Sequence, residues 1–308
     1  MRSLYMFLVL FIACRASLSA QEPVKDSVYI SDMTYDCEQE GTLRFRDPVT
    51  DKVGFFDKNR KVIIPAAYND ARPFYNGLAL VIHDGKRICE DGSAYVAGSC
   101  EHWSWDGITG LINTKGIIVA DSIDMMATEN LNWFSLNITD EPGDTSLYSS
   151  IKATNKSYYT FINYQKEFDS WYHQQFLPQS QAGNMTFYCF DELQVEGLWK
   201  QKLRKKYSKG NFLKQYGTIM QKRMGAVIAG QIEAFIVTES LNSIIYNNKK
   251  FKTFYTACDE PNTAQFPSFE VITNHYNIKH ELNYQEHFSF LRTDTGYKLI
   301  AVAMKNIG

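Results

Sequence analysis

The first half of the chain alternates short apolar runs with polar turn signals. From residue 28 to residue 134 the runs are short and often alternate apolar with polar side chains, which is typical of half-buried β-strands. Clusters rich in Asp, Asn, Gly and Pro separate them and favour hairpin turns. These clusters are Arg46-Asp47-Pro48, Asp57-Lys58-Asn59, His83-Asp84-Gly85 and Asn113-Thr114-Lys115-Gly116. The pattern predicts an N-terminal region of antiparallel β-hairpins.

The second half of the chain begins with helical patterns. Apolar and aromatic residues recur at helical spacing from Tyr158 to Phe176, and we expect a helix there that ends before Pro178. A further helix or helix pair is predicted from Asp191 to Met224, with a break near Ser208-Lys209-Gly210-Asn211.

Strands are predicted after these helices. The expected strands are Gln231 to Thr238, Phe251 to Cys258, Phe269 to His275, Glu286 to Arg292 and Tyr297 to Met304. The turn Asp294-Thr295-Gly296 joins the last two as a terminal hairpin. Helices followed by an antiparallel sheet indicate an α+β fold. The predicted class of the whole chain is therefore mainly β plus α+β.

One polar segment marks the expected boundary between these regions. Asp140-Glu141-Pro142-Gly143-Asp144 is polar and turn-forming, and the pattern changes beyond it. The 308 residues also exceed the usual size of one compact domain. We therefore expect a β-hairpin repeat domain over 21–140 and an α+β domain over 150–308.

Residues 52–81 carry the most specific pattern in the chain. The segment reads as strand, turn, strand, loop, strand, and its landmarks are Gly54, Pro65, Tyr68, Phe74 and Gly77. The ten residues from Gly110 repeat the ten from Gly54, glycine on glycine and apolar on apolar. This pattern resembles a WG repeat, and the resemblance covers residues 43–132. It implies hairpins that stack on one another as a structural or binding module, and it implies no reaction.

The repeats depart from the family pattern at the residue that names it. Val53 and Thr109 stand before the two repeat glycines, where the family has tryptophan. A ligand contact made by that tryptophan therefore cannot be transferred to this chain. We expect Gly54 and Gly77 to serve structure, either through close backbone approach or through a positive φ angle.

The N-terminus has the layout of a secretory signal peptide. Arg2 precedes an apolar run from Leu4 to Ala13, and small residues then lead to Ala20. Cleavage after Ala20 would leave an exported protein, periplasmic or secreted. Alternatively, the sequence before Cys14 resembles a lipobox, which would make the protein a lipoprotein anchored at Cys14. No apolar run reaches the roughly 20 residues of a membrane-spanning helix, so we expect no transmembrane segment.

Five cysteines follow the leader, an odd number in a compartment that permits disulfides. At least one thiol should therefore be free. Cys89 and Cys100 flank a loop with two glycines, and we predict a disulfide between them that stabilises the fold by about 3 kcal/mol in the chain-entropy model. Their spacing with His102 does not match a zinc site. The pairing of Cys37, Cys189 and Cys258 stays open.

The composition excludes several classes of function. The chain is 44% apolar and 21% charged, with a net charge of -2, which does not suit a nucleic-acid-binding protein. The basic stretch from Lys200 to Arg223 is interpreted as a solvated helix face or as a contact with an anionic surface. No nucleophile elbow, phosphate-binding glycine loop or metal signature is found. We predict no catalytic, cofactor or metal site, and we expect a protein that is not an enzyme.

A candidate ligand platform lies between the two repeat copies. Trp103 and Trp105 are two residues apart on a predicted strand and should point to the same face, with His102 beside them. Exposed aromatic rings of this kind can stack on a sugar or on an aromatic side chain of a peptide. Burial against the repeat is the competing interpretation, because large aromatic side chains are mostly buried.

The predicted function is that of an exported, non-catalytic interaction protein. It would bind a protein or a cell-envelope component through its repeat surface, and no nucleic acid. The alternative rests on the C-terminal part, whose helices and closing hairpin resemble an NTF2-like cone. That resemblance implies a small-molecule-binding or enzymatic domain carried by the repeats.

Overall fold

The structure, a computed structural model, describes residues 29–31, 34–198 and 204–305. The predicted leader, with Cys14 and Ala20, lies outside these residues, as do Lys200 and Lys202 of the basic stretch. Twelve strands come first: β1 Tyr29–Ser31, β2 Thr34–Tyr35, β3 Thr42–Arg46, β4 Val53–Asp57, β5 Val62–Tyr68, β6 Asp70–Ala71, β7 Leu78–Cys89, β8 Trp103–Asn113, β9 Ile118–Ala120, β10 Asn137–Thr139, β11 Tyr148–Lys152 and β12 Tyr158–Ile162. Short 3₁₀ helices at Met125–Thr128 and Trp133–Ser135 separate β9 from β10.

The first repeat copy forms an antiparallel sheet in the order β3-β4-β5. A register shift between β4 and β5 pairs Phe55 with Ile64 but Val53 with Tyr68. The extra residues of β5 cross directly over Gly54, where a Cβ atom would lie 2.6 Å from the Ile64 carbonyl oxygen and 2.7 Å from the Ala66 nitrogen. Two roles were expected for this repeat glycine, and close backbone approach is the one that Gly54 serves.

The second repeat copy repeats the turn geometry of the first. Its strands belong to a sheet in the order β6-β7-β8-β9. In the first turn Asp57 Oδ1 accepts hydrogen bonds from the Asn59 and Lys61 nitrogens, and in the second Asn113 Oδ1 accepts from the Lys115 and Ile117 nitrogens. A short polar side chain at this position stabilises the turn by hydrogen-bonding the backbone two residues on.

A tight turn also recurs ahead of each copy. Asn76 and Gly77 both have positive φ angles, 51° and 73°, and Glu40 and Gly41 repeat them at 51° and 75°. The positive φ angle explains the glycine at residue 77. The carboxylate of Glu40 accepts hydrogen bonds from the Asn76 nitrogen at 2.5 Å and the Gly77 nitrogen at 2.9 Å. The two turns are therefore stacked and joined, and this earlier turn was not recognised in the sequence.

A third hairpin packs beside the second copy. Strands β11 and β12 pair in an antiparallel register without a bulge, and β10 adds to β12. Ile151 and Phe161 of this hairpin are buried in one cluster with Leu111 and Ala120 of the second copy. The hairpin thus covers the apolar face that a terminal repeat would otherwise expose. Strands from both sides of the expected boundary at 140–150 share this sheet, and the division into two domains stays a prediction.

The rest of the chain combines helices with one large sheet. The helical segments are α1 Tyr164–Trp171, a π-helical turn Tyr172–Phe176, α2 Leu177–Gln181, a 3₁₀ helix Thr186–Tyr188, α3 Lys209–Ile228 and a 3₁₀ helix Lys252–Phe254. The strands are β13 Cys189–Leu198, β14 Arg204–Ser208, β15 Glu233–Glu239, β16 Ser268–Tyr276, β17 Leu282–Thr293 and β18 Gly296–Lys305. They form a sheet in the order β14-β13-β18-β17-β16-β15. The predicted class, a β-hairpin repeat region followed by an α+β region, is confirmed.

Three predicted elements of this region are wrong. The segment 158–162 is a strand, and the helix that follows it runs through Pro178 to Gln181. Residues 189–198 and 204–208 are paired antiparallel strands, and of the predicted helix pair only the part after the break is helical, as α3 with Ser208 as its N-cap. The segment 251–258 is a 3₁₀ turn and loop. In each case the apolar spacing fits more than one element, and pairing with distant residues decided between them.

The large sheet is mixed rather than wholly antiparallel. Strand β13 runs parallel to β18, while the other pairs are antiparallel. Between this sheet and α3 lies a buried cluster rich in aromatic side chains, including Phe168, Phe212, Phe288 and Phe290. Phe168 stacks on Phe269 with ring centroids 4.5 Å apart.

Two disulfides join the cysteines of the described region. Cys89 is bonded to Cys100, as predicted, and Cys37 is bonded to Cys258 across 221 residues. The free thiol belongs to Cys189, which is buried. Burial raises the pKa of Cys189 to about 12, so the thiol is protonated and unreactive at neutral pH.

Three residues of the basic stretch are paired with acids of the neighbouring strand. Arg204 contacts Glu196, Lys206 contacts Glu192 and Lys209 contacts Asp191, with N to O distances of 2.9, 3.6 and 2.8 Å. All three acids lie on β13, which pairs with β14. The structure therefore gives no support to an anionic surface contact at these three positions.

A buried ionic cluster joins α3 to the sheet. The carboxylate of Glu286 is fully buried and lies 2.9 Å from Arg223 Nε of α3 and 3.1 Å from His275 Nε2 of β16. Its other oxygen accepts a hydrogen bond from the Lys305 nitrogen of β18. One side chain thus connects three strands and a helix.

In the described part of the chain, no helix is both long and apolar enough to cross a membrane.

Candidate functional site

The longest hairpin of the repeat region extends beyond the repeat as an arm. Strands β7 and β8 pair along Leu78–His83, shift register at a bulge and pair again along Lys86–Cys89. We call the distal part, residues 86–106, the β-arm. At the bulge Gly85 and Gly107 approach so closely that a Cβ on Gly107 would lie 2.7 Å from the Gly85 Cα. Glycine on both strands allows the arm to bend here.

A buried side chain fixes this bend. Asn69 is 2% exposed and hydrogen-bonds Gly85 twice, accepting from its nitrogen at 2.8 Å and donating to its oxygen at 3.0 Å. At the far end, the disulfide between Cys89 and Cys100 closes the loop that joins the strands. The β-arm is therefore held at its base and at its tip.

Three aromatic rings of the β-arm surround the guanidinium of Arg87. The Arg87 carbon Cζ lies 4.1 Å from the ring centroid of Trp103, 5.1 Å from that of Trp105 and 5.6 Å from that of Tyr95. The two tryptophan rings meet edge to face with centroids 5.4 Å apart. Cation–π contacts of this length stabilise the arrangement by about 0.5–1 kcal/mol each at exposed sites.

The predicted platform residues all lie outside the buried core. Trp103 is 36% exposed, Trp105 is half-buried and His102 is exposed. Neither tryptophan belongs to any of the buried apolar clusters of the described residues. The competing interpretation, burial against the repeat, is therefore not what the structure shows. Arg87 and Tyr95, which complete the aromatic group, were missed because pairing across the strands brings them to Trp103.

A groove of about 980 Å³ lies between the β-arm and the first repeat copy. Its walls carry Trp103, Trp105 and His102 from the arm together with arginines from the repeat strands. These arginines are Arg44, Arg46 and Arg72, with Arg87 from the arm itself. We call it the arm groove.

Most of these arginines are already paired. Arg44 contacts Asp36 and donates to the Ala71 oxygen at 2.8 Å, and Arg87 contacts Asp51. Arg46 lies between Asp51 and Asp70. Paired arginines of this kind are held rigidly and present their planar faces and remaining donors to a ligand.

Arg72 differs from the other arginines of the arm groove. Its side chain is exposed and has no ion-pair partner within the described ranges. A carboxylate or another hydrogen-bond acceptor on a partner could bind there without displacing an internal contact.

The repeat landmarks position the strands below the arm groove. Phe55 and Phe74 pack in the core of the first copy with ring centroids 4.7 Å apart. The Tyr68 hydroxyl donates to the Gly116 oxygen at 3.0 Å and so joins the two copies. Pro65 is exposed on β5, an edge strand where the missing N–H costs no sheet hydrogen bond. At Gly110, which repeats Gly54, a Cβ would have its nearest neighbours at 3.5 Å.

His83 lies at the base of the β-arm and bridges two carboxylates. Its Nδ1 lies 2.8 Å from Asp84 Oδ2 and its Nε2 lies 2.9 Å from Asp121 Oδ1. Burial alone would lower the pKa of His83, but hydrogen bonds and charge from Asp121 and Asp84 outweigh it and raise the pKa. Burial would raise the pKa of Asp121, but the His83 contact outweighs it and lowers that pKa.

These shifts predict a pH dependence of stability. The His83 contribution should be present below its unfolded pKa of about 6.5 and be lost as pH rises through its raised folded pKa. The Asp121 contribution should be lost as pH falls below about 4. Between pH 6 and pH 9 we expect wild type to lose up to about 1 kcal/mol more unfolding free energy than His83→Gln, as measured by urea unfolding. An unchanged slope in His83→Gln would contradict the assignment.

Comparison with known proteins supports the repeat assignment. The family model described as "WG containing repeat" matches residues 54–86, which span β4 to the start of the β-arm. No curated protein matches the chain.

Among solved structures, three partial likenesses each cover less than half of this chain. A cystatin-like domain of unknown function from Nostoc punctiforme has a TM-score of 0.25 and 10% identity, covering 46% of this chain and 77% of that chain. A putative calcium/calmodulin dependent protein kinase II association domain from Xanthomonas campestris has a TM-score of 0.24 and 6% identity, covering 46% and 84%. A DUF4783 family protein from Bacteroides ovatus has a TM-score of 0.20 and 9% identity, covering 43% and 92%. TM-scores this low do not establish a shared fold, so the NTF2-like resemblance is not confirmed.

The repeat assignment rests on the family match and on two features of the structure. The glycine and turn pattern of residues 54–86 matches the family model. In the structure, the copy that begins at Gly110 has the same turn, and the register shift between Phe55 and Phe56 recurs between Leu111 and Ile112. The chain therefore contains a WG repeat at residues 54–86.

Proposed function

We propose that the protein is an exported, non-catalytic binding protein and that the arm groove is its ligand surface. The observation that carries this proposal is the aromatic group around Arg87. Tyr95, Trp103 and Trp105 are kept out of the core on a β-arm that is fixed at both ends. Tryptophan, tyrosine and arginine are the residues that most often dominate the energy of protein interfaces.

The chemistry of the arm groove favours a partner with exposed apolar or aromatic groups next to acceptors. The faces of Trp103 and Trp105 offer stacking area, while Arg72 offers an unpaired guanidinium. A protein segment or a cell-envelope component would supply both. Because the aromatic rings are already ordered by Arg87, little conformational entropy would be lost when the partner binds.

The alternative is a small-molecule-binding or enzymatic C-terminal domain, and its enzymatic form has less support. The space between α3 and the large sheet is filled by the aromatic cluster around Phe168. The buried charges of Glu286 and Arg223 contact each other and the backbone of β18 rather than a pocket that the structure shows. This arrangement suits a structural role.

Capture of the partner from a native envelope fraction tests the proposal. We expect Trp103→Ala to reduce capture about tenfold or more while its melting temperature stays within a few degrees of wild type. Phe134→Ala removes an aromatic ring that is 47% exposed and lies outside the arm groove, so it should capture as wild type does. Undiminished capture by Trp103→Ala, or a large fall in its melting temperature, would overturn the proposal.

Export is a separate part of the proposal and has its own test. It is supported by the leader pattern and by two disulfides, which persist in oxidising compartments. N-terminal sequencing of the mature protein should begin at Gln21. A lipidated start at Cys14 would place the protein at a membrane surface, and retention of Met1 would exclude both forms of export.

A further inference from the structure

A lysine of the large sheet is buried without an acidic partner. Lys298, on β18, is 8% exposed. Its Nζ donates to the Phe187 oxygen at 2.7 Å and lies 3.5 Å from the centroid of the Phe187 ring. Within the described ranges no carboxylate lies within ion-pair distance of it. A buried ammonium whose direct contacts are a carbonyl oxygen and an aromatic ring is costly.

This lysine lines a cavity of about 390 Å³, a size that suits a small molecule. One wall is apolar and is formed by the rings of Phe187, Phe190 and Phe254. Opposite charges lie at its polar end, where Lys209 is paired with Asp191 at 2.8 Å. We call it the Lys298 cavity.

The charges around Lys298 compensate its ammonium only in part. Burial lowers the pKa of Lys298 and the positive charge of Lys209 lowers it further, while Cys189 and Asp191 act in the opposite direction without outweighing them. Asp191 is paired with Lys209, and the Asp191 side chain is 77% exposed. Asp294 is exposed in the hairpin turn at the rim of the Lys298 cavity. An anion entering the cavity would find one buried cation that no internal carboxylate occupies.

The apolar wall restricts what that anion can be. Phe187 is 65% exposed although its ring covers the ammonium, so it can make room for a ligand with little loss of core packing. A bare inorganic anion would leave the three rings without a contact. An aryl or alkyl group bearing a carboxylate would satisfy both ends of the cavity.

We propose that the Lys298 cavity binds a small amphiphilic carboxylate, with the carboxylate at the Lys298 ammonium and the apolar part against Phe187, Phe190 and Phe254. This site is separate from the arm groove, and neither depends on the other. It gives the C-terminal region a small-molecule ligand and no reaction.

Calorimetric titration of the full chain with four probes tests the ligand class. Phenylacetate should bind saturably at one site per chain. Phenylacetamide lacks the charge, acetate lacks the ring and inorganic phosphate has a charge without an apolar part, so each should bind about tenfold or more weaker than phenylacetate. Equal affinity for the acid and the amide would overturn the role of Lys298. Equal affinity for phosphate or acetate would overturn the role of the apolar wall.

Variants place the binding at this cavity. Lys298→Met keeps the length of the side chain and should reduce phenylacetate affinity about tenfold or more, whereas Lys115→Met, at an exposed repeat turn, should leave it unchanged. The melting temperature of ligand-free Lys298→Met should equal or exceed that of wild type, because a buried charge that is only partly compensated is removed. Should Lys298→Met fail to fold, Phe187→Ala tests the same site through an exposed ring and should weaken phenylacetate binding severalfold. Unchanged phenylacetate affinity in either folded variant would overturn the proposal.

Discussion

Replacing Cys37 and Cys258 together with serine is expected to lower the free energy of unfolding by about 5 kcal/mol. The disulfide closes a loop of 221 residues, and in the chain-entropy model the stabilisation rises with the logarithm of loop length. The bridge also ties the segment before β3, at the start of the repeat region, to the loop between β15 and β16. Urea unfolding of protein folded under oxidising conditions measures the loss.

The second disulfide of the same molecule provides the control. Cys89 and Cys100 are only 11 residues apart, so serine at both positions should cost about 3 kcal/mol or less. Its loss should mainly loosen the tip of the β-arm and should therefore weaken partner capture more than does loss of the longer bridge. Equal losses of stability for the two double variants would contradict the loop-length argument.

Gly54→Ala is expected to lower the free energy of unfolding by about 3–4 kcal/mol. A Cβ at this position would lie 2.6 Å from the Ile64 oxygen, 2.7 Å from the Ala66 nitrogen and 2.8 Å from the Phe45 ring. Two of these atoms belong to the backbone of β5 and cannot move without breaking the pairing of the sheet. Overpacking against backbone in a closely packed core costs at the upper end of the usual range.

The equivalent glycine of the second copy is the matched control. At Gly110 the nearest atoms to a Cβ lie 3.5 Å away, which is ordinary van der Waals contact. Gly110→Ala should therefore change stability by less than about 1 kcal/mol, because reduced freedom of the unfolded chain offsets small strain. Thermal or urea unfolding of both variants measures the two changes in stability. A similar loss in both would show that β-propensity rather than close approach determines the cost.

The two repeat glycines show what the local sequence pattern can and cannot predict. Sequence alone placed glycine at residues 54 and 77 as structural and left two reasons open. The structure assigns a different reason to each, close approach at Gly54 and a positive φ angle at Gly77. The distinction depends on how far β5 shifts in register, which local sequence does not specify.

The misassigned helix over 191–198 has a similar cause. Leu193 and Val195 are buried at strand spacing, but the same stretch also fits a helical period. Pairing with β18, about a hundred residues later, provides the hydrogen bonds that stabilise the strand. Secondary structure that depends on such distant partners cannot be derived from a short window.

Only part of the candidate site was predicted from the sequence. Trp103 and Trp105 were recognised because strand geometry places residues two apart on one face. Arg87 and Tyr95 were not, because they reach the tryptophans through cross-strand pairing and through the loop closed by the disulfide. Lys298 gave no signal either, because a single lysine in a strand looks the same whether it is exposed or buried.

By itself the sequence determined the periodic features of this protein: the hairpin repeats, their turns, the terminal hairpin and the Cys89 to Cys100 bridge. These depend on residues within about a dozen positions of one another, where φ preferences, side-chain caps and alternation act directly. Tertiary structure alone decided the bend of the β-arm, the pairing of Cys37 with Cys258 and the burial of Lys298. These arise where segments distant in sequence meet, and contact energies between them, which no local pattern encodes, select the outcome.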